Sequence, residues 1–459
     1  MKPLLKENKI TLALATPIMA GQLGQMLLGL ADTLMIGRVG TVELAASAFV
    51  NVLFHIPIVL AIGLTAAISV QISHAHGAQD DEEAAQSLRH GLILSTLCGF
   101  VMTAILLCTI PVLHLFRQPA EIVEIIPSYL IWIALSIIPM VPTFVFKSFA
   151  ESKNHPWPVF WIMIAGVGLN ILLNYLLIFG NGGFPAMGLA GAGIATLIAR
   201  VATLLGVWIY IRGSAILASS RPQRWLCRLE KARSLSLLKM ATPISGQVLM
   251  EYGAFATATL LVGQFGSHAL AAHQIALTCA ATTFMLPLGL SMALTIRVGH
   301  TLGAGEKERC WHVILSAHAT AFLVMLAAGI LFISCREWIA AGFSQDPKVI
   351  QLAATLLIIT AAFQIFDAGQ IVSMGALRGL KDVNIPAAIV FACCWLGGLP
   401  LGTWLAFGLG HETVGQWWGL AAGLALTAIA LTVRLVIQLR QLKFTAQDPA
   451  HKPEPDTVV

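Results

Sequence analysis

The chain has 459 residues, of which 57% are hydrophobic and 11% charged, with a formal net charge of +5 and a mean hydropathy of +0.82. Soluble domains carry about 25% charged residues, and apolar stretches close to or beyond the roughly 18–20 residues needed to cross a bilayer recur along nearly the whole length. A soluble fold is therefore excluded and an integral membrane protein expected. The positive balance, which in a soluble chain would suggest acidic partners, here reflects loops facing the cytoplasm, and no nucleic-acid partner is expected.

The start MKPLLKENK is polar and the first apolar run lacks a small-x-small cleavage site, so it reads as a retained span rather than a signal peptide. Twelve spans follow in order: 11–36, 46–73, 90–112, 124–147, 157–179, 188–211, 237–262, 270–297, 312–334, 350–375, 384–408 and 415–438. Some breaks are glycine-rich, as in GNGGFPAMG (180–188); others are charged, as in HGAQDDEEAAQSLRH and GAGEKERCWH. Pro17, Pro57, Pro139, Pro142, Pro287 and Pro400 interrupt spans, where each frees backbone groups and permits a kink. The eight cysteines show no metal spacing and read as apolar filler. The final stretch TAQDPAHKPEPDTVV reads as a disordered tail, expected over 441–459.

Twelve spans place both termini on one side. With the N-terminus inside, 22 of the 27 Lys and Arg fall in inner segments, which predicts that both termini are cytoplasmic.

Shifted by 226 positions, the sequence resembles itself. ATPI (15–18) meets ATPI (241–244), Gly37 meets Gly263, Gly40 meets Gly266, LAA (44–46) meets LAA (270–272), and His74 meets His300. A shift of 228 later aligns Lys153 with Lys381 and Pro158 with Pro386. The expected organisation is an all-α membrane protein of two six-helix lobes, 1–211 and 237–440, joined by a basic cytoplasmic linker over 212–236. Because six is even, the repeats run in the same direction and are related by an axis along the membrane normal, an arrangement typical of transporters.

Four ionisable residues lie well inside predicted spans: Asp32, Arg200, Glu251 and Asp367. An ionised side chain at the bilayer centre costs at least about 2.5–3.5 kcal/mol, so such residues line cavities or pair with one another. Asn170 and Asn174 are four apart on one helix face, able to hold an aspartate's proton or complete the oxygen shell of a small cation; equally, they read as interhelical glue. Thr196 is a candidate fourth member. Gln247 stands one turn before Glu251, whose repeat-mate is Gln25, and Gln364, Asp367 and Gln370 share a face. Two acids in one lobe suggest a shared proton or cation. Arg200 reads as a partner for an acid or as a structural pair, and His55, His273 and His318 as hydrogen-bonded packing.

With ATPIMAGQLGQMLLGLADTLMIGRVG, LNILLNYLLIFG, ATPISGQVLMEYGAFA, LAAHQIA and FDAGQIVSMGALRGLKD in view, the chain resembles the multidrug and toxic compound extrusion (MATE) family, NorM-type branch, over about residues 10–440. The resemblance implies two six-helix lobes, no enzymatic activity, no cofactor, and export of small organic cations such as drugs and dyes in exchange for Na+ or H+, from a monomer among the lipids of the bacterial inner membrane. It marks Asp32 as the acid of the first lobe with Asn170, Asn174 and Thr196 beside it, Pro17 as a bend in the first helix, and Glu251 with Asp367 as an acid pair able to take Na+. Some relatives carry a tyrosine near that pair; here the corresponding positions read Phe284 and Phe363, which keep a ring face but lose the hydroxyl. Gln25, Met26, Gln247, Phe255, Phe284, Met285, Phe363 and Gln364 are the expected cavity residues, with sulfur and aromatic walls suited to varied flat cations. The alternative is a flippase for lipid-linked oligosaccharide or peptidoglycan precursors. Its cavity should be cationic to hold a pyrophosphate, whereas three of the four intramembrane charges are acidic.

Overall fold

The computed structural model describes residues 2–116, 118–222, 224–225 and 229–447. Helices account for every regular element among these residues: α1 (Lys2–Gly37), α2 (Thr41–Gly77), α3 (Asp81–Leu107), α4 (Ala120–Leu135), α5 (Ile137–Ser152), α6 (Pro156–Phe179), α7 (Gly188–Gly213), α8 (Lys231–Gly263), α9 (Ser267–Gly303), α10 (Lys307–Phe343), α11 (Pro347–Gly379), α12 (Asn384–Phe391), α13 (Leu399–Thr403) and α14 (Glu412–Gln447), with short 3-10 turns at Ile110–Phe116 and Asn181–Gly183. In a membrane every backbone group must be satisfied internally, and helices do this residue by residue.

Among the described residues, eleven segments are long and apolar enough to span, with α4 and α5 forming one of them and α12 to Gly408 another. The remaining expected span is α8, which has the length, 33 residues; Gln247, Glu251 and its threonines dilute its hydropathy. Large apolar side chains such as Leu27 (63% exposed), Leu260 (75%) and Trp338 (87%) project from the helix surfaces, as lipid-facing residues do. The protein is a multi-pass membrane protein. Several helices run past the expected spans, since hydropathy stops at the membrane surface and hydrogen-bonded turns do not. α14 continues to Gln447, so the tail expected from 441 is helical at its start; its remainder, 448–459, lies outside the described residues.

Packing divides the chain into two compact units, one formed by Ala13–Gly253 and the other by Met1–Leu12 with Ala254–Val459. This division differs from the division by repeats, because α1 and α8 each begin in one unit and continue into the other.

In the Ala13–Gly253 unit, two apolar clusters hold α2 to α7 together, one around Val50, Ile126, Leu130 and Ile137, the other around Ile68, Leu88, Phe149 and Val207. The fourth span is broken at Ser136. Pro139 has no N–H to offer the carbonyl four residues back, and Ser136 turns its hydroxyl onto the Ile133 carbonyl at 2.6 Å. Asp80 caps α3 by accepting from the Glu83 amide at 2.9 Å, and acidic residues fill that first turn. The linker closes back on this unit: Leu217 is buried and Trp225 sits edge-on to Phe146 at 6.0 Å.

In the other unit, α9, α10, α11 and α14 surround a core containing Leu356, Phe363, Trp417 and Leu424. Lipid is as apolar as leucine, so close backbone approach replaces the hydrophobic effect as glue between membrane helices. Gly398 and Gly402 face Gly419 and Gly423 of α14, and Gly415 lies against the Leu405–Ala406 backbone: a Cβ on Gly398 would lie 2.9 Å from the Gly423 Cα, and one on Gly415 2.7 Å from the Ala406 nitrogen. The expected interruption at Pro400 takes the form of wide π-type turns at Ala392–Gly398 and Trp404–Gly408.

Candidate functional site

In the Ala13–Gly253 unit, α7 approaches α6 closely because Gly191 lies against the Leu177 carbonyl; a Cβ there would stand 2.6 Å from that oxygen. The approach brings Thr196 of α7 to Asn170 of α6, whose Nδ2 donates to Thr196 Oγ1 at 3.3 Å. One turn along α6, Asn174 Nδ2 donates to Asn170 Oδ1 at 3.0 Å and to Asp32 Oδ1 of α1 at 2.6 Å. The four residues singled out in sequence thus form one continuous chain of polar contacts, Asp32 to Asn174 to Asn170 to Thr196, across three helices. Asn170, Asn174 and Thr196 are buried and Asp32 is half-buried.

The donor balance of this cluster is incomplete. Asn174 Oδ1 is buried and has no partner among the described residues. Leaving such an acceptor unsatisfied costs about 1–3 kcal/mol, a deficit that a proton donor or a small cation reaching it would remove.

Arg200 comes from α7, one turn beyond Thr196. Its Nη1 donates to Ser136 Oγ at 2.6 Å and its guanidinium lies 4.8 Å over the Phe54 ring. Both Arg200 and the buried Tyr129 are within electrostatic reach of Asp32. Sequence left the partner of Arg200 open. The helix break at Ser136 creates the acceptor, and only the presence of Pro139 hinted at it.

Gln25, Met26, Gln247 and Glu251 also belong to this unit. Gln247 is buried and the other three are half-buried, with Pro17 buried in an α1 that continues helically through it.

Asp367 lies in the other unit, half-buried on α11 between the buried Gln364 and Gln370. Gln364 Nε2 donates to Thr283 Oγ1 of α9 at 2.8 Å, and its Oε1 is buried without a partner among the described residues. Phe255, Phe284 and Met285 are half-buried, whereas Phe363 is 2% exposed and packs on Trp417 at 5.7 Å between ring centroids. Trp417 Nε1 donates to His273 Nδ1 at 3.0 Å, and His273 Nε2 meets Thr259 Oγ1 at 2.9 Å. Because an indole N–H only donates, Nδ1 is the acceptor and Nε2 carries the proton. The expectation of hydrogen-bonded packing holds for His273. Its partner in QWWGL, 144 positions away, carried no signal in sequence.

Two repeats of membrane helices with acids and amides gathered inside the spans define a membrane transporter rather than an enzyme. The MatE family model matches residues 17–176 and 243–404, and the chain belongs to that family. It is 35% identical over 438 residues to the probable multidrug resistance protein NorM of Pseudomonas aeruginosa, covering 94% of this chain and 89% of that one. With the Pseudomonas putida protein of the same name it shares 34% over 441 residues, 95% and 96% of the two chains. Among solved structures, a MATE in the bent conformation superposes with a TM-score of 0.89 at 21% identity, over 98% of this chain and 100% of that one. The Vibrio cholerae MATE transporter VcmN in the bent form gives 0.87 at 22%, over 97% and 99%.

Proposed function

We propose that this protein is a multidrug efflux antiporter of the inner membrane that exports small organic cations in exchange for Na+ or H+, with both termini in the cytoplasm. The observation that carries the reading is the Asp32 cluster: a carboxylate within the membrane, held by one amide donor at 2.6 Å, beside a buried amide oxygen with no partner among the described residues. A site of that composition exchanges a proton or a small cation, and the two states differ in local charge. Coupling follows when the drug and the driving ion compete for the same negative field. A ligand moves an access equilibrium only through different affinities for its two states, and a carboxylate whose charge changes between them supplies the difference.

Glu251 and Asp367, in different compact units, are each proposed as an acid of the second repeat taking Na+ or a proton, the first with Gln25, Met26 and Gln247 of its unit as drug-binding residues and the second with Phe255, Phe284, Met285 and Gln364 of its own. The repeats 1–211 and 237–440, joined by the linker 212–236, change their relation so that the acids face one side of the membrane at a time. The acidic balance within the spans supports a cationic cargo over the pyrophosphate of a lipid-linked sugar. Ethidium efflux from energised membrane vesicles, driven first by an imposed Na+ gradient and then by an imposed pH gradient, tests this. One of the two gradients should drive efflux; failure of both refutes antiport.

A further inference from the structure

At the start of α1, Glu7 is 6% exposed and sits between two guanidinium groups of its own unit. Arg309, in the first turn of α10, donates to it through Nε at 2.8 Å and Nη2 at 3.3 Å. Arg297 of α9, itself 4% exposed, also donates to it. Arg309 in turn donates through Nη1 to Glu306 at 2.7 Å.

At the start of α8, in the Ala13–Gly253 unit, Arg233 Nη1 donates to both carboxylate oxygens of Glu83, in the first turn of α3, at 2.7 Å, while its Nε donates to Glu230 at 2.9 Å.

The 226-residue repeat relates these two contacts. Glu7 is the repeat-mate of Arg233, and Glu83 is the repeat-mate of Arg309. The same junction, the start of a repeat's first helix on the start of a third helix, is therefore built twice with its charges inverted. In both copies one arginine is held by a carboxylate from the partner helix and by another three residues before it in sequence.

The inversion has a physical consequence. Had both copies kept one polarity, either first helix could dock at either third helix. As built, Glu7 placed at Glu83, or Arg233 placed at Arg309, would set like charges together. Each helix start is thus attracted to one seat and repelled from the other. These are the starts of the two helices that cross from one compact unit to the other, after Leu12 and after Gly253.

We propose that the starts of α1 and α8 are charge-addressed latches that dock each crossing helix in its proper unit and must release when the cytoplasmic side opens. This rests on the proposed function above for the release step and for the cytoplasmic placement of both helix starts. The two latches differ in strength. Glu7 and Arg297 expose 8% and 5% of their side chains, whereas Arg233 and Glu83 expose 34% and 40%, so water screens the α8 latch and leaves the α1 latch the tighter.

The test uses the full chain in inside-out membrane vesicles, with its native cysteines replaced and one reporter added, Thr11→Cys or Leu237→Cys. These repeat-mates lie one turn past each latch and are 0% and 1% exposed. The rate of labelling by a maleimide reads undocking directly. Glu7→Gln should raise the rate at the Thr11→Cys reporter about tenfold or more, with no change at the other. Arg233→Gln should raise the rate at the Leu237→Cys reporter roughly threefold, as fits a solvent-screened pair. The double change Arg233→Glu with Glu83→Arg, which copies the polarity of the first latch, should restore slow labelling. Unchanged rates in the single variants, or a double variant that labels as fast as Arg233→Gln, overturn the proposal. If Glu7→Gln fails to reach the membrane, Arg309→Gln removes the half-exposed contact from α10 while leaving Glu7 on Arg297, and should raise the rate at the Thr11→Cys reporter roughly threefold. Labelling needs neither drug nor gradient, so loss of gradient-driven efflux with responsive labelling refutes antiport alone, and the converse refutes the latches alone.

Discussion

Substituting Gly191 tests whether helix packing, rather than the mere presence of the polar residues, builds the Asp32 cluster. A Cβ at position 191 would lie 2.6 Å from the Leu177 carbonyl oxygen, where ordinary contact begins at 3.4 Å. The obstacle is backbone, which no rotamer change removes, so Gly191→Ala must move α7 away from α6 by about 0.8 Å. The Asn170–Thr196 hydrogen bond, already 3.3 Å, then stretches to about 4 Å, past useful hydrogen-bonding range. Overpacking of this kind costs about 1–3 kcal/mol, and losing the register of the site should lower efflux about tenfold or more, since 1 Å of misplacement can cost up to about 100-fold in catalytic geometries. Ethidium efflux in vesicles, normalised to the amount of protein, and thermal unfolding in detergent both read the change. Gly168→Ala on α6, where an added Cβ meets nothing within 4 Å, is the control and should behave as wild type. Wild-type efflux and unfolding in Gly191→Ala would refute the argument that the α6–α7 approach sets the cluster.

Glu251→Gln and Asp367→Asn should each abolish efflux in whole cells while the protein remains at its normal level in the membrane, measured by quantitative blotting; wild-type efflux in Asp367→Asn would remove it from the coupling site. Gly419→Val should lower the thermal midpoint in detergent markedly, because a Cβ there runs into the Gly402 backbone, while Gly246→Ala, with nothing within 4 Å, should leave it unchanged. Trp417→Phe keeps the ring that packs on Phe363 but strips His273 Nδ1 of its donor. A buried acceptor left unpaired costs about 1–3 kcal/mol, so this variant should unfold earlier with efflux per folded molecule retained.

What the sequence revealed and what it hid follow from the range of each interaction. Hydropathy is summed over one bilayer thickness, so the spans were legible, as was the repeat through co-linear glycine, proline and histidine. Asn170 and Asn174 were legible as a pair because four residues make one helical turn, whereas the contacts that bring Asp32 and Thr196 to them lie between helices. The Ser136 break was not legible: whether a helix yields at a proline or bends through it, as α1 continues through Pro17, depends on neighbours distant in sequence. The hydrogen bond from Trp417 to His273 and the seat of Arg200 on Ser136 and Phe54 are contacts between helices, and no periodicity within one helix encodes them. The charge-inverted latches lay in plain view once the repeat was aligned, yet Glu7, Glu83, Arg233 and Arg309 each read alone as a solvated charge at a helix end.

The central claim is that an acid inside the membrane couples drug export to an ion gradient. Purified protein reconstituted in proteoliposomes, wild type beside Asp32→Asn, should be followed for ethidium movement under an imposed Na+ gradient and an imposed pH gradient. One gradient should drive the wild type, and Asp32→Asn should lose the gradient-driven component. Gradient-driven transport at the wild-type rate in Asp32→Asn would contradict the claim.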